Sequence, residues 1–423
     1  SSFVFCAMRL RLAGAVLLAA AAYYVYLPLP SGVSEPWKLM LLDALFRSFI
    51  DAAHTLGVCH RVHLLNRVVS WVEVIEARSS PTVNVTDSTL GGVPTRVFQP
   101  NGESRLRRGV IYFHGGGWAL AKMRSYDLLC RKMAEDLDAV IMSVDYRLAP
   151  EAVFPDQYHD AVAASRVFLS AELLQQYGID PERLCVSGDS AGGNLAAAVA
   201  LGQESSSKLV HLILSLQLSL DNSLQVKFKA QALIYPVLQA LDFHTPSYQQ
   251  NQAVPILYRP YMARFWLQYL GADSSLEPVL LVNNHSALDE RAISAATRSN
   301  LNWTALLPAE RKKNFKPVVK EKGSPGVVGA VPGLIDVRAA PLLAEQEVLG
   351  KTPRAYVMTC EFDVLRDDGL MYGRRLRDAG VEVTSDHYED GFHGCMVFAN
   401  LPMMSSVGQR SMRNYIRWLD QNL

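Results

Sequence analysis

The chain has 423 residues, of which 49% are hydrophobic and 19% charged, and 41 basic side chains balance 41 acidic ones. This length is enough for one large α/β domain with insertions or for two ordinary domains. The formal net charge is zero and no basic stripe is visible, which argues against a nucleic-acid-binding protein. We therefore expect a small, uncharged or weakly charged ligand. The six cysteines lack C-x-x-C spacing, which argues against a zinc site or a disulfide-dense scaffold but allows one or two bridges.

The first feature along the chain is an uninterrupted apolar run, Leu12 to Leu27, that follows Arg9 and Arg11. It predicts a signal-anchor transmembrane helix over residues 8–28, with residues 1–7 as a leader outside the mature protein. A helix of this run spans roughly 24 Å, so tyrosines at the headgroup level would complete a hydrocarbon core of about 30 Å. A cleaved signal peptide, ending near Ala20–Ala22, is the alternative.

Both alternatives deliver the rest of the chain to the secretory pathway. Arginines before the apolar run predict a cytosolic amino terminus and a lumenal catalytic part, as in a single-pass type II membrane protein. Three N-x-S/T acceptors for glycosylation, at Asn84, Asn284 and Asn302, agree with that location.

The middle and end of the chain alternate between short apolar runs and amphipathic stretches, which indicates a doubly wound, mostly parallel sheet covered by helices. Predicted strands are Val110–Phe113, Ala139–Val144, Leu184–Ser187, Ala230–Ile234, Ala355–Thr359 and Val381–His387. Predicted helices are Ser125–Leu137, Asp156–Gln176, Ala191–Gly202 and Asp367–Ala379.

Two segments, 31–80 and 241–340, interrupt this alternation, and long insertions at the carboxyl edge of such a sheet usually cover the active site. We therefore divide the chain into amino-terminal cap helices and first strands (29–107), a first core part (108–240), a cap insertion (241–340) and a second core part (341–423). A partly disordered linker is the alternative for 241–340, although its aromatic content favours packed structure. The stretch Gln203–Lys229 is longer and more hydrophobic than we expect for a connection between the predicted helix Ala191–Gly202 and the next strand.

The pentapeptide Gly188–Gly192 stands between a predicted strand and a small-residue helix. In such a strand–turn–helix unit, Ser190 projects its hydroxyl from a strained corner, and it is the candidate nucleophile. Glycines on either side are needed because a Cβ there would collide with the neighbouring strand or helix. A chance match in a glycine-rich loop is the alternative for the pentapeptide alone.

A serine needs a base and an orienting acid, which follow it in chain order in folds of this type. Asp363 and His393 each follow the carboxyl end of a predicted strand, at the edge where Ser190 lies. Glu361 and His387 are the competing residues: Glu361 would point elsewhere along an extended segment, and His387 lies within a strand. The sequence therefore predicts a triad of Ser190, Asp363 and His393.

The motif His114–Trp118 follows the first predicted core strand and contains three consecutive glycines. Their backbone N–H groups can turn toward a developing oxyanion without side-chain clash. With the N–H of Ala191, we predict an oxyanion hole from Gly115, Gly116, Gly117 and Ala191.

These motifs, together with Ser143–Glu151, make the chain similar to the hormone-sensitive-lipase-like branch of the α/β-hydrolases. Within that branch, Tyr23–Tyr26 and the run Ala232–Gln250 resemble the arylacetamide deacetylase family. The resemblance implies an α/β-hydrolase fold with a helical cap and a membrane anchor in the endoplasmic reticulum or the cell membrane. It also implies hydrolysis of cholesteryl esters and of 2-acetyl monoalkylglycerol ethers, with the same triad.

The sequence thus predicts a cofactor-free and metal-free serine ester hydrolase that forms an acyl-enzyme on Ser190. Two alternatives stay open. An arylacetamide-type amidase or drug-ester hydrolase would share every catalytic residue, and a non-catalytic lipid- or hormone-binding protein would use the same fold.

Overall fold

The computed structural model describes residues 2–55, 80–102, 106–202, 226–400 and 403–423. Most of Gln203–Lys229, the long stretch between the nucleophile helix and the next strand, lies outside the described residues. The described part is built around one eight-stranded sheet with strand order β1-β2-β4-β3-β5-β6-β7-β8. The strands are β1 Val83–Leu90, β2 Val93–Pro100, β3 Arg107–Phe113, β4 Ala139–Val144, β5 Ile179–Asp189, β6 Ala230–Ile234, β7 Arg354–Phe362 and β8 Val383–Phe392.

The sheet is mostly parallel, as the alternating sequence predicts. Strands β1 and β2 form an antiparallel hairpin, and β2 pairs antiparallel with β4, whereas every pair from β4 through β8 is parallel. All residues of β4 and β6 are buried, because helices cover both faces of the sheet. Alternate residues of one strand therefore enter two cores: Ile111 and Phe113 pack on one face, and Val110 and Tyr112 on the other.

The helices of the described residues fall into an amino-terminal pair, helices that flank the sheet, and short helices in the region 241–350. The pair is Ser2–Val25 and Pro36–Thr55. The flanking helices are Asp127–Leu137, Asp156–Phe168, Ala171–Tyr177, Ala191–Gly202, Arg366–Asp378 and Ser406–Asn422. The short helices are Pro246–Gln250, Arg259–Tyr269, Glu277–Leu281, Ala295–Asn300, Trp303–Leu306, Ala309–Lys312, Val327–Ala330 and Gln346–Leu349.

One predicted helix, Asp156–Gln176, is wrong as a single element. The chain forms two helices instead, because Ser170 is extended and its hydroxyl accepts a hydrogen bond from the N–H of Leu173 (3.3 Å). This contact is an N-cap, which starts a new helix rather than continuing the old one.

The region 241–340 is packed structure rather than a linker. Trp266, Leu280 and Trp303 are all buried in the core that covers one face of the sheet. The amino-terminal pair of helices is also attached to the body: the Ser406 N–H donates to the Glu35 carboxylate, and the Ser34 N–H donates to the Asp390 carbonyl, both at 2.9 Å.

In the part of the chain that the structure describes, no helix combines the length and the apolar character needed to cross a membrane.

Candidate active site

Ser190 lies in the sharp turn between β5 and the helix Ala191–Gly202, with φ of +54°. An ideal Cβ on Gly192 would stand 1.9 Å from the Phe113 carbonyl oxygen, and one on Gly188 would stand 2.4 Å from the backbone of Gly192. Neither position has room for a side chain, so the prediction that these glycines permit the turn is confirmed. The strained backbone of Ser190 is held by a hydrogen bond from its N–H to the Ile234 carbonyl (2.9 Å).

The structure brings the three residues of the predicted triad together. His393 Nε2 lies 3.0 Å from Ser190 Oγ, and His393 Nδ1 lies 2.8 Å from Asp363 Oδ2. Asp363 is buried, and its other oxygen accepts a hydrogen bond from the Leu365 N–H at 2.8 Å. An ionised Asp363 makes Nδ1 the donor, which leaves Nε2 unprotonated and able to accept the serine proton. This is the geometry of a serine nucleophile, a general base and an orienting acid.

The loop His114–Trp118, here called the oxyanion loop, runs beside Ser190. Gly116 and Gly117 have positive φ values of +109° and +61°. Their N–H groups and that of Ala191 make no hydrogen bond to any other described residue. These three donors are therefore available for an oxyanion.

Gly115 is not such a donor, and this part of the predicted oxyanion hole is wrong. Its N–H points away from the cavity, to Asp189 Oδ1 (2.9 Å) and to the Tyr126 hydroxyl (3.0 Å). The same carboxylate accepts hydrogen bonds from the hydroxyls of Tyr112 and Tyr126, each at 3.0 Å. Asp189 thus anchors the oxyanion loop to β5, a role that sequence reasoning missed.

Burial raises the pKa of Asp189 to about 6, against the opposing effect of its three hydrogen-bond donors. The sequence signal for this anchor is one charged residue at the end of a strand stretch, 184–188, that carries no charge. In the structure this whole stretch is buried. A buried carboxylate must find donors, and the nearest ones belong to the neighbouring strand and the loop after it.

His114 supports the same loop from inside. It is fully buried, its Nδ1 lies 2.8 Å from the Gly115 carbonyl oxygen, and its ring stacks on Tyr146 at 4.5 Å. Desolvation lowers the pKa of His114, so the ring is neutral at physiological pH. His114 therefore shapes the loop and does not face Ser190.

Beside Ser190 and His393 lies a cavity of about 230 Å³. Its walls are largely apolar and come from the loops after β3, β6 and β8, from the helix Arg259–Tyr269 and from the amino-terminal helix Pro36–Thr55. The apolar lining residues are Phe46, Leu120, Ala121, Val237, Ile256, Leu257, Met262, Phe265, Val397 and Phe398.

One corner of the cavity is polar, and no sequence motif predicts it. The Tyr258 hydroxyl donates to Asp43 Oδ1 (2.7 Å), and Arg47 Nε donates to Asp43 Oδ2 (2.5 Å). Arg47 also donates to the Tyr24 carbonyl at 2.9 Å, which connects the first helix to the cavity wall. Among the described residues, no group of His, Cys, Asp or Glu side chains forms a metal site.

A profile of the alpha/beta hydrolase fold matches residues 110–328 and 327–397. The chain belongs to this family. The α/β-hydrolase is 54% identical to neutral cholesterol ester hydrolase 1 of Mus musculus over 417 residues, which is 97% of this chain and 98% of that one. It is 43% identical to arylacetamide deacetylase of Oryctolagus cuniculus over 408 residues, with 95% and 96% of the two chains covered.

Solved esterases have the same fold. A thermostable esterase from Pseudomonas putida aligns with a TM-score of 0.60 and 25% identity, over 89% of this chain and 96% of that one. The hyperthermophilic esterase of Pyrobaculum calidifontis aligns with a TM-score of 0.61 over 90% and 97% of the two chains; at 24% identity it supports the fold alone. The α/β-hydrolase described here is a carboxylic-ester hydrolase, and the non-catalytic alternative is set aside.

Proposed function

We propose that this hydrolase cleaves neutral lipid esters, namely cholesteryl esters and 2-acetyl monoalkylglycerol ethers, through an acyl-enzyme on Ser190. The main observation behind the proposal is the hydrogen-bonded triad of Ser190, His393 and Asp363, in which Ser190 and His393 line an apolar cavity. An apolar cavity favours a substrate without charge near the scissile bond. The 54% identity to neutral cholesterol ester hydrolase 1 of Mus musculus supports the choice of a cholesteryl ester.

In the proposed reaction, Ser190 Oγ attacks the ester carbonyl while His393 Nε2 takes the hydroxyl proton. The N–H groups of Gly116, Gly117 and Ala191 stabilise the oxyanion of the tetrahedral intermediate, and His393 then protonates the departing alcohol. In the second half of the reaction, His393 Nε2 takes a proton from water as the water attacks the acyl-enzyme, and it then returns the proton to Ser190 Oγ as the acid product leaves. Asp363 holds the imidazole in the required tautomer throughout.

We also propose that the first helix anchors the enzyme in the membrane of the endoplasmic reticulum or of the cell surface, with the catalytic part in the lumen or outside. Support comes from the apolar run Leu12–Leu27 after two arginines and from the exposure of Leu17 and Leu18 on this helix. Glycosylation at Asn84, Asn284 and Asn302 belongs to the same proposal. The side chains of Asn84 and Asn302 are exposed, as an acceptor requires.

The test compares wild-type enzyme with Ser190→Ala on a dispersed cholesteryl ester and on an aryl acetamide. We expect hydrolysis of the cholesteryl ester, and its loss together with fluorophosphonate labelling in the variant. Persistence of either in Ser190→Ala would refute the acyl-enzyme. Faster turnover of the aryl acetamide than of the cholesteryl ester would favour the amidase alternative, which the 43% identical deacetylase represents.

A further inference from the structure

Two buried cysteines lie in contact beside the active site. Cys360 is near the carboxyl end of β7, and Cys395 lies in the turn after β8. Their sulfur atoms are 3.6 Å apart, and neither residue is exposed to solvent. Both are thiols in the structure. The two residues are 35 positions apart in the chain, so only the parallel pairing of β7 with β8 brings them together.

The pair connects the two segments that carry the acid and the base. Cys360 comes three residues before Asp363, and Cys395 comes two residues after His393. The Asp363–His393 hydrogen bond of 2.8 Å depends on how these same two segments are placed. A covalent bond between the sulfurs would therefore fix the distance between these two segments, and the placement of Asp363 and His393 depends on the same distance.

Both cysteines are closely packed against neighbouring backbone. An ideal Cβ on Gly391 would be 2.8 Å from the Cys360 sulfur, and one on Gly408 would be 2.1 Å from the Cys395 carbonyl oxygen. A disulfide bond is about 2 Å long, so the sulfurs must approach by about 1.5 Å. In a core packed this closely, part of that movement falls on the segment 391–395, which includes His393.

We propose that Cys360 and Cys395 form a reversible disulfide that lowers esterase activity by displacing His393 from Ser190 and Asp363. The inference rests on the roles proposed above for these three residues. The two thiols lose two protons and two electrons, and a low-molecular-mass disulfide, such as oxidised glutathione, takes them up and becomes two thiols. One thiolate first forms a mixed disulfide and releases one thiol; the second then displaces the other.

Oxidation is expected to be slow in the folded protein. Burial raises the pKa of the Cys360 thiol far above its ordinary value, so little thiolate is present. Neither cysteine is exposed to solvent, so access to the sulfurs requires a local opening of the fold. The disulfide therefore forms during folding or during such openings, and equilibrium rather than rate is the quantity to measure.

The other two cysteines with described side chains provide the control. Cys130 and Cys185 are equally buried in the same core, but the Cys185 thiol donates to the Val186 carbonyl (3.4 Å) rather than meeting a second sulfur. A variant with Cys6, Cys59, Cys130 and Cys185 all changed to alanine keeps only the proposed pair. Cys395→Ala removes one partner and leaves the triad residues in place.

The experiment equilibrates the full chain in glutathione buffers of graded redox ratio. Cross-linking is read by alkylation and peptide mass spectrometry, and ester hydrolysis is measured in parallel. We expect the Cys360–Cys395 peptide to increase as kcat/KM falls about tenfold or more, since displacement of a catalytic group by about 1 Å can cost about 100-fold. A reductant should restore activity, the four-alanine variant should behave like wild type, and Cys395→Ala should keep its activity at every ratio.

Two results would overturn the inference: no cross-link in protein refolded in the most oxidising buffer, or a cross-link in protein that keeps full activity. Failure of the proposed function is a separate result, since it would appear as no hydrolysis by the fully reduced enzyme. In that case, the rate of fluorophosphonate labelling at Ser190 reports whether the cross-link alters the site.

Discussion

Two carboxylate–histidine pairs lie on or just after β7 and β8, and only one of them faces the nucleophile. In the pocket pair, Asp363 and His393 are 2.8 Å apart and Ser190 lies beyond the histidine. In the outer pair, Glu361 and His387 are 3.2 Å apart, and the hydroxyl beside the histidine is that of Thr359.

The outer pair is surrounded by positive charge. Glu361 also binds Arg311 and Arg366, the latter at 2.9 Å. Both nitrogens of His387 are engaged, since Nδ1 lies 2.9 Å from the Thr359 hydroxyl and Nε2 is close to Glu361 and Arg311. His387 therefore has no free nitrogen with which to act on a substrate.

The comparison shows that a carboxylate beside a histidine does not make a general base. What differs is where the imidazole lies and what shares its Nε2. In the pocket pair, His393 Nε2 meets the Ser190 hydroxyl at the cavity wall. In the outer pair, Glu361 and Arg311 share His387 Nε2, and the Thr359 hydroxyl at Nδ1 does not line that cavity. Substitutions that remove equivalent atoms from the two pairs should therefore differ in what they change.

The largest difference is expected between the two histidines. His393→Ala removes the base and should lower kcat for ester hydrolysis by about 10⁴- to 10⁶-fold. His387→Ala should keep kcat within a few fold, because this ring touches no reacting atom. Steady-state kinetics on a soluble ester tests both, and comparable losses in the two variants would mean that the outer pair takes part in catalysis.

The two acids should differ next. Asp363→Asn preserves the shape but favours the wrong imidazole tautomer, so kcat should fall by about 10⁴-fold with a much smaller change in KM. Glu361→Gln is the matched control, since Glu361 lies two residues before Asp363 near the end of β7, and it should leave kcat nearly unchanged. An equal loss of kcat in Glu361→Gln would show that the arginine cluster orients the base.

The buried carboxylate of Asp189 touches neither histidine, and its substitution should have a smaller effect. Asp189→Asn weakens the anchor of Gly115 and should misplace the donors of Gly116 and Gly117, lowering kcat by roughly 10- to 100-fold. Asp386 is the control, because it is likewise held by two tyrosine hydroxyls, those of Tyr356 (2.7 Å) and Tyr388 (2.6 Å). An equal decrease of kcat in Asp386→Asn, calculated per folded molecule, would show that the loss in Asp189→Asn is not due to the oxyanion loop.

The smallest expected effect is on stability rather than on rate. Burial would raise the pKa of Glu361, but its bond to His387 and the charges of Arg366 and Arg311 prevail and lower it to about 2, from 4.5. A carboxylate whose pKa is lowered by folding stabilises the fold above its unfolded pKa, and this contribution disappears as pH falls toward the folded value.

Glu361→Gln should therefore reduce the free energy of unfolding by about 1–3 kcal/mol near neutral pH, a range that allows for solvent screening of a partly exposed group. The difference from wild type should shrink as pH falls from about 4.5 toward 2. Denaturant unfolding at several pH values measures this, and a difference independent of pH would show that the charge of Glu361 contributes nothing.

Much of the site could be predicted from the sequence. Ser190, Asp363 and His393 each follow the carboxyl end of a strand, and such ends meet at one edge of a parallel sheet. The prediction of Gly115 as an oxyanion donor was wrong because three consecutive glycines look alike in a sequence. Only the neighbouring strand, which brings the Asp189 carboxylate to the Gly115 N–H, distinguishes them.

The cavity wall was the least predictable part. Asp43 and Tyr258 are 215 positions apart, and neither belongs to a recognisable motif. Their contact depends on how the amino-terminal helix pair lies over the helix Arg259–Tyr269. A hydrogen bond between two residues that belong to no motif leaves no local signal in the sequence. The distance between its donor and its acceptor is fixed by tertiary packing alone.

The sequence by itself determined the family, the strand–turn–helix unit at Ser190 and the order of the triad, because strand periodicity and glycine requirements are local. Tertiary structure alone decided the distances within the triad, which glycine N–H groups are available, and that Cys360 meets Cys395. These outcomes depend on partners that approach through space, where burial forces each polar group to find the nearest donor or acceptor.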